Sequence, residues 1–400
     1  MQVAKRTANL LRHAISQERR AANKGDEEAF EALLASVRHI GRRLELARPQ
    51  DVVPANIARR VLFIVREEDL QLQVDGADDE DEDQDEEEGE DEGVGEEGSG
   101  GGGAAARGVG GGGGGGSAGK ARRVAFAAPG GAPGGGQTST LLRPPSLHSL
   151  LDMHGSMAMG RGGGAVSKGW PLKHRVIEAI SELIEELDGV PQQIADQAIE
   201  HVHADEVILT LGYTRSASLF LRAAGKKRDF QVVVAEGAPG CAGRRMAREL
   251  AEARINTTFI TDASVFAMMA RSNMVVVGAS AVMANGGVVA PAGLHMVALA
   301  AQRHAVPFVV LFGMHKLSPM LQPNVDALAG DLCSPADVLP VEALATSGSA
   351  GGGRCHVVNP EFDYIPPELV TLFLTDTGGH TPSDIYRMLS EYYAEEDHQL

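Results

Sequence analysis

The sequence predicts an α/β protein, with an N-terminal helical domain followed by a domain built on a mainly parallel sheet. Three observations carry this reading. Apolar residues recur at helical spacing before residue 73 and again from residue 172. Between them lies a polar, glycine-rich stretch without that period. From residue 206 onward, short β-branched runs alternate with helical segments, the rhythm of a parallel sheet covered on both faces.

Residues 1–72 are the first part of the helical domain. Asp26 is placed to cap a helix whose Phe30, Leu33, Leu34, Val37 and Ile40 share one face. Pro54 suits a first helical turn, and Ile57, Val61, Ile64 and Val65 continue the period. Residues 73–137 then read as a disordered insertion. Asp75–Glu97 carries 16 Asp or Glu and no Lys or Arg, and Asp75–Gly136 holds 23 of the 49 glycines. Such a segment buries too little apolar surface to offset the entropy of ordering.

The helical domain resumes over residues 138–204. Leu147–Leu151 is a short helical patch. From Leu172 a stripe of Val176, Ile177, Ile180, Leu183, Ile184 and Leu187 predicts a long helix, which Gly189 before Pro191 is expected to end. Ile194, Ala198 and Val202 predict a further amphipathic helix.

Residues 205–400 predict a Rossmann-like α/β domain. Strands are expected at Val207–Leu211, Gln231–Ala235, Thr257–Ile260, Met274–Val277, Phe308–Phe312 and Val370–Thr375. Helices are expected at Ser216–Ala224, Ala242–Ala253, Ala263–Arg271 and Met296–His304. Ligands of such sheets bind beyond the carboxyl ends of the strands. That edge carries Gly212–Ser216, Glu236–Gly240, Thr261–Asp262, Gly278–Ala281 and Gly313–His315. One of these loops, within Val277–Gly287, offers only a serine and an amide where an enzyme usually presents an acid, a base or a nucleophile.

Charge and cysteines narrow the function. The net charge is -18, and removing the 16 acids of Asp75–Glu97 leaves -2. A near-neutral body lacks the basic surface that nucleic acid requires. Cys241, Cys333 and Cys355 are odd in number and far apart, which points to a reducing compartment. The first residues have no apolar core of signal-peptide length, and no run of 18 apolar residues spans a membrane. The expectation is a cytoplasmic protein that does not enter membranes.

Several motifs read more simply than they look. Glu236–Arg245 opens a helix after a strand, but Pro239 removes a donor amide and the dinucleotide spacing is absent, so a tight βα turn is favoured over an anion site. Cys241 in that turn reads as a small thiol, with no histidine beside it to activate it. Gly114–Ala121 mimics a phosphate-binding loop but ends in alanine, so no hydroxyl holds magnesium. His201 and His203 lack a third metal ligand nearby. Tyr364, Tyr386, Tyr392 and Tyr393 concentrate near the C-terminus. Protein contacts are one reading; docking of the last helix by Ile385 and Tyr386 is the other.

Taken together, a set of motifs occurs in one order: Asn56–Glu68, Thr210–Ser216, Val234–Gly243, Thr261–Met269, Val277–Gly286, Met314–Pro319 and Asp363–Arg387. They closely resemble the subunits of eukaryotic translation initiation factor 2B, in particular the beta branch. The insertion and Thr346–Gly353 depart from that pattern. The resemblance implies a non-catalytic core subunit of the guanine-nucleotide exchange factor that returns translation initiation factor 2 from its GDP- to its GTP-bound form. It implies as partners the alpha, gamma, delta and epsilon subunits of that factor and the alpha subunit of initiation factor 2, whose phosphorylation is sensed. It implies a cytosolic protein with no cofactor and no metal.

The same resemblance extends to isomerases acting on methylthioribose 1-phosphate. Those enzymes place a cysteine in a Thr-x-Cys-Asn turn where this chain has Gly212, within Thr210–Tyr213. They place an acid in Gly-Ala-Asp where it has Ser280, and an arginine before proline where it has Ala238. The resemblance thus implies a degenerate pocket of Gly212, Tyr213, Arg215, Ser216, Glu236, Ala238, Asp262, Ser280 and Asn285, without a base for proton transfer or a bidentate grip on phosphate. Two alternatives remain open: an isomerase with relocated groups, using Asp262 or Cys241, and a sensor that binds a metabolite without converting it.

Overall fold

The computed structural model describes residues 1–18, 26–49, 51–87, 170–321, 332–340 and 356–400. Four helices make the helical layer: α1 (Gln2–Gln17), α2 (Asp26–Ala47), α3 (Val52–Glu87) and α4 (Pro171–Asp196). In α1, Ala4, Ala8, Leu11 and Ile15 recur every three or four residues and are fully buried. They join Leu33, Leu34 and Val37 of α2, Ile57, Val61 and Val65 of α3, and Val176, Ile180 and Leu183 of α4 in one core. The stripes read from the sequence are therefore the buried faces.

Two expectations about these helices need correction. The first part of the helical domain does not stop at residue 72, because α3 continues to Glu87. That extension holds no proline, and its four Glu and two Gln favour helix while its six Asp and one Gly do not. Asp75 also pairs with Arg175 of α4 at 2.7 Å. Nor does Gly189 end α4, which runs through Pro191 to Asp196. Val190, Pro191 and Ile194 are buried, and this apolar burial outweighs the roughly 3 kcal/mol that an interior proline costs a helix. Ile194 accordingly belongs to α4, and only the one-turn α5 (Ala198–His201) follows. Leu147–Leu151, Gly114–Ala121, Thr346–Gly353 and Cys355 lie outside the described residues.

The main sheet contains β1 (Val207–Leu211), β2 (Gln231–Ala235), β3 (Asn256–Ile260), β4 (Met274–Gly278), β7 (Phe308–Leu311), β9 (Leu372–Thr375) and β10 (Gly378–His380). Its spatial order is β10-β9-β7-β4-β1-β2-β3, all parallel except β10 against β9. Leu209 of β1 faces Val233 on one side and Val275 on the other. The order reverses at β1, so the topological switch falls between β1 and β4. Helices α6 (Arg215–Ala224) and α7 (Gly243–Glu252) cover one face together with the end of α4. On the other face lie α8 (Val265–Met269), α9 (Leu294–His304) and α10 (Ile385–Tyr392).

A second sheet is absent from the sequence-based expectation. It joins β5 (Ala281–Val282), β6 (Val288–Pro291) and β8 (Phe362–Ile365), all antiparallel. The loop at Val277–Gly287 is thus largely a β-hairpin. The Gly287 N–H donates to Asn285 Oδ1 at 2.9 Å, the Met283 N–H donates to the Gly287 carbonyl at 2.8 Å, and Gly286 takes the left-handed φ of 79° that such a turn needs.

The C-terminal segment crosses back to the helical layer. Tyr393 is 1% exposed and its hydroxyl donates to the Leu317 carbonyl at 2.8 Å. Fully buried Asp397 accepts from Arg38 of α2 at 2.8 Å and from Arg66 of α3 at 3.0 Å. Buried Arg59 donates to Asn56 Oδ1 and to the His398 carbonyl. Residues 1–81 and 168–400 accordingly form one unit, and a second, Glu82–Ser167, is described only as far as Glu87. The tyrosines divide. Ile385, Met388, Leu389 and Tyr393 dock the last helix, whereas Tyr386 is 74% exposed and takes no part in that docking.

Candidate functional site

At the carboxyl edge, the loops after β1 and β2 touch backbone to backbone. Gly212 and Gly237 have φ of 67° and 66°, and a Cβ on Gly237 would stand 3.0 Å from the Gly212 Cα. Only glycine serves there. Asp262, at the end of β3, accepts the Gly237 N–H at 2.9 Å and the Ala238 N–H at 2.7 Å. Its two oxygens thus hold the Glu236–Pro239 turn in place. The Glu236 carbonyl accepts the Gly243 N–H at the start of α7, and a Cβ on Gly243 would lie 2.3 Å from the Ala235 carbonyl oxygen.

The switch point between β1 and β4 is equally tight. A Cβ on Gly278 would fall 2.8 Å from Thr214 Oγ1, the oxygen that caps α6 by accepting the Ala217 N–H. Lys316 Nζ donates to the Ala279 carbonyl at 2.6 Å, and burial lowers its pKa. Beside it His315 is 3% exposed, and neither ring nitrogen has a hydrogen-bond partner. Burial, then repulsion from Lys316, pushes its pKa down to about 3. The imidazole is therefore neutral.

The nine residues expected to share a pocket do not all converge. Gly212, Glu236, Ala238 and Asp262 meet at the β1–β2–β3 junction. Ser280 and Asn285 belong to the hairpin: the Ser280 N–H donates to the Val289 carbonyl, and Asn285 Nδ2 donates to the Tyr364 hydroxyl at 2.8 Å. Ser216 lies half-buried in the first turn of α6. Tyr213 and Arg215 line a different feature, a cleft of about 340 Å³ between α6 and α7. There Glu249 accepts from Ser218 Oγ at 2.6 Å, Arg245 Nε at 2.9 Å and the Tyr213 hydroxyl at 3.3 Å. Partial burial opposes its ionisation, but the hydrogen bonds from Ser218, Arg245 and Tyr213 prevail and lower its pKa. Burial and the nearby Glu249 charge raise that of Tyr213.

The cleft's further residues were missed by sequence reasoning, although a signal was present. Arg215, Ser218, Leu219 and Arg222 follow the i, i+3, i+4, i+7 pattern of one helix face, and Arg245 and Glu249 are an i, i+4 pair on the next helix. Among the described residues, no three His, Cys, Asp or Glu side chains are grouped to hold a metal. His203 Nδ1 instead faces Arg228 Nη1 at 3.2 Å. Cys241 and Cys333 are free thiols. No described helix is long and apolar enough to cross a membrane.

A mainly parallel sheet under an N-terminal helical layer, its carboxyl-edge loops bound to one another, defines a Rossmann-like α/β protein. Residues 1–382 match the Initiation factor 2 subunit family, and the chain belongs to that family. It is 40% identical to translation initiation factor eIF2B subunit beta of Dictyostelium discoideum over 396 residues, 99% of this chain and 91% of that protein. It is 28% identical to ribose 1,5-bisphosphate isomerase of Pyrococcus furiosus over 225 residues, 56% of this chain and 67% of that enzyme. The fold matches a chain in the crystal structure of the tetrameric eIF2B-beta2-delta2 complex from C. thermophilum. The TM-score is 0.59 at 21% identity, covering 98% of this chain and 88% of the other.

Proposed function

We propose that this chain is a non-catalytic core subunit of the exchange factor that recycles translation initiation factor 2 from its GDP- to its GTP-bound form. The observation that carries the reading is the 40% identity to an eIF2B beta subunit across 99% of the chain. On this reading the partners are the alpha, gamma, delta and epsilon subunits of the factor. The chain also helps grip the alpha subunit of initiation factor 2 in the cytosol and senses its phosphorylation. Nucleotide exchange needs no covalent chemistry, only tighter binding of the nucleotide-free GTPase than of its GDP form. A core subunit contributes placement and coupling of roughly 1–3 kcal/mol to that difference.

The edge geometry supports a non-catalytic role. Asp262 is already committed to two backbone N–H groups, Gly212 and Ala238 bring no functional side chain, and His315 is buried without access to a reacting atom. Likeness to a sugar-phosphate isomerase over 56% of the chain keeps a metabolite-binding pocket as the second reading.

Native mass spectrometry of the tagged protein, isolated from its own cells, tests the proposal. A large assembly with sibling subunits that accelerates GDP release from initiation factor 2 is the expected result. A free homodimer that turns over a ribose 1-phosphate derivative, with turnover lost in Asp262→Asn, would overturn it. A thermal shift with sugar phosphates would establish the metabolite-binding reading instead.

A further inference from the structure

We propose that the cleft between α6 and α7 is a docking groove for an acidic, extended segment of a partner protein. Three guanidinium groups line it, those of Arg215, Arg222 and Arg245, against the single carboxylate of Glu249. That carboxylate is already engaged by Ser218, Arg245 and Tyr213, so its charge is spent within the groove wall. The groove is left with an excess of positive charge.

The three arginines differ in how they are held. Arg245 is fixed from two sides: its guanidinium lies 4.0 Å over the Tyr213 ring, and its Nε donates to Glu249. Its terminal nitrogens remain to donate to a ligand, the preorganised fork that suits a carboxylate. Arg215 and Arg222 are exposed, and neither forms an ion pair with a described residue. Their i, i+7 spacing puts both on the face of α6 that lines the cleft, with their charge available to a ligand.

Spacing selects the ligand. Arg215 and Arg222 lie seven residues apart on one helix face, about 10 Å at 1.5 Å per residue. An extended peptide presents every second side chain on one side, about 6.6 Å apart at 3.3 Å per residue, so acidic side chains two and four residues apart bracket that span and reach the two long arginines. Half-buried Leu219 between them supplies apolar floor for the peptide backbone. Nucleic acid is disfavoured, since the chain outside its acidic run is close to neutral.

The test is fluorescence anisotropy on the full chain. The probe is a fluorescein-labelled Ser/Gly peptide carrying three glutamates at alternate positions, and its glutamine counterpart serves as control. The glutamate peptide should bind, weaken with added salt, and lose about tenfold or more in affinity to Arg215→Ala/Arg222→Ala. Arg303→Ala, an equal charge change on the opposite face of the sheet, should leave binding intact. Equal binding of the glutamine peptide, equal loss in Arg303→Ala, or a double variant within about twofold of the parent would overturn the proposal. Displacement by inorganic phosphate at the same total charge would reassign the groove to free anions. If the double variant fails to fold, Arg222→Gln alone is read against the same limits.

Discussion

Acidification should weaken this protein through His315, and the size of the effect follows from its burial. The side chain is 3% exposed, both ring nitrogens lack partners, and its pKa is pushed down to about 3. In the unfolded chain the imidazole titrates at the ordinary value near 6.5. Above pH 6.5 both states are neutral and the residue adds no pH dependence. Below it the unfolded chain takes up a proton that the folded chain refuses, so stability falls with pH until about 3. At pH 5 the gap is about 1.5 pK units, or about 2 kcal/mol at 1.36 kcal/mol per unit. Urea unfolding at pH 7 and pH 5 measures it, in the parent and in His315→Leu. Other titrating groups are common to both proteins and cancel in the comparison. The leucine variant should lose about 2 kcal/mol less on acidification and stand at least as firm at pH 7, because two unpartnered polar atoms leave the interior. Equal pH dependence in the two proteins, or a native-state resonance that titrates near pH 6.5 and is lost in His315→Leu, would refute the reasoning.

Three further outcomes are expected. Asp397→Ala removes the buried carboxylate shared by Arg38 and Arg66 and should cost about 1–3 kcal/mol in denaturant unfolding, since Arg38 loses its carboxylate partner while Arg66 keeps Glu396. Asp262→Asn should cost roughly 0.5–1.5 kcal/mol, because one carbonyl oxygen replaces the two carboxylate oxygens that accept the Gly237 and Ala238 N–H groups; unchanged stability would contradict a positioning role. Gly243→Ala places a methyl 2.3 Å from the Ala235 carbonyl oxygen and should lower the thermal midpoint by an amount equivalent to more than about 1 kcal/mol, whereas alanine at Gly240, where a Cβ meets nothing, should be nearly silent.

Most of the architecture is written in local patterns. Continuous runs such as Gln231–Ala235 are strands because every residue from Val232 onward is buried, and the stripe from Val176 to Leu187 is a helix face because 3.6-residue spacing aligns it. What escaped was non-local. The strands β5, β6 and β8 are two to four residues long, and one of their two pairings, β6 with β8, joins positions more than 70 residues apart. Pro191 reads as a stop on its own, but its cost is overridden by packing that only the folded sheet provides. The edge loops were legible as loops. Which side chains share a cleft was not, because Tyr213 turns away from Gly212 to stack under Arg245, thirty-two positions along the chain.

This division bears on what the edge can do. An active site at a topological switch needs loops that part enough to admit a substrate between their side chains. Here Gly237 meets Gly212, Gly278 meets Thr214, Asp262 ties down the next turn and Lys316 holds the Ala279 carbonyl. The two glycine contacts leave no room for a side chain, and the other two engage the Asp262 carboxylate and the Lys316 ammonium. Positive charge without an ion-pair partner lies instead on the outer helix α6, at Arg215 and Arg222, beside the paired Arg245 and away from the sheet edge. Closely packed edge loops and a charged cleft on the outer helices are the arrangement that the proposed core-subunit role calls for.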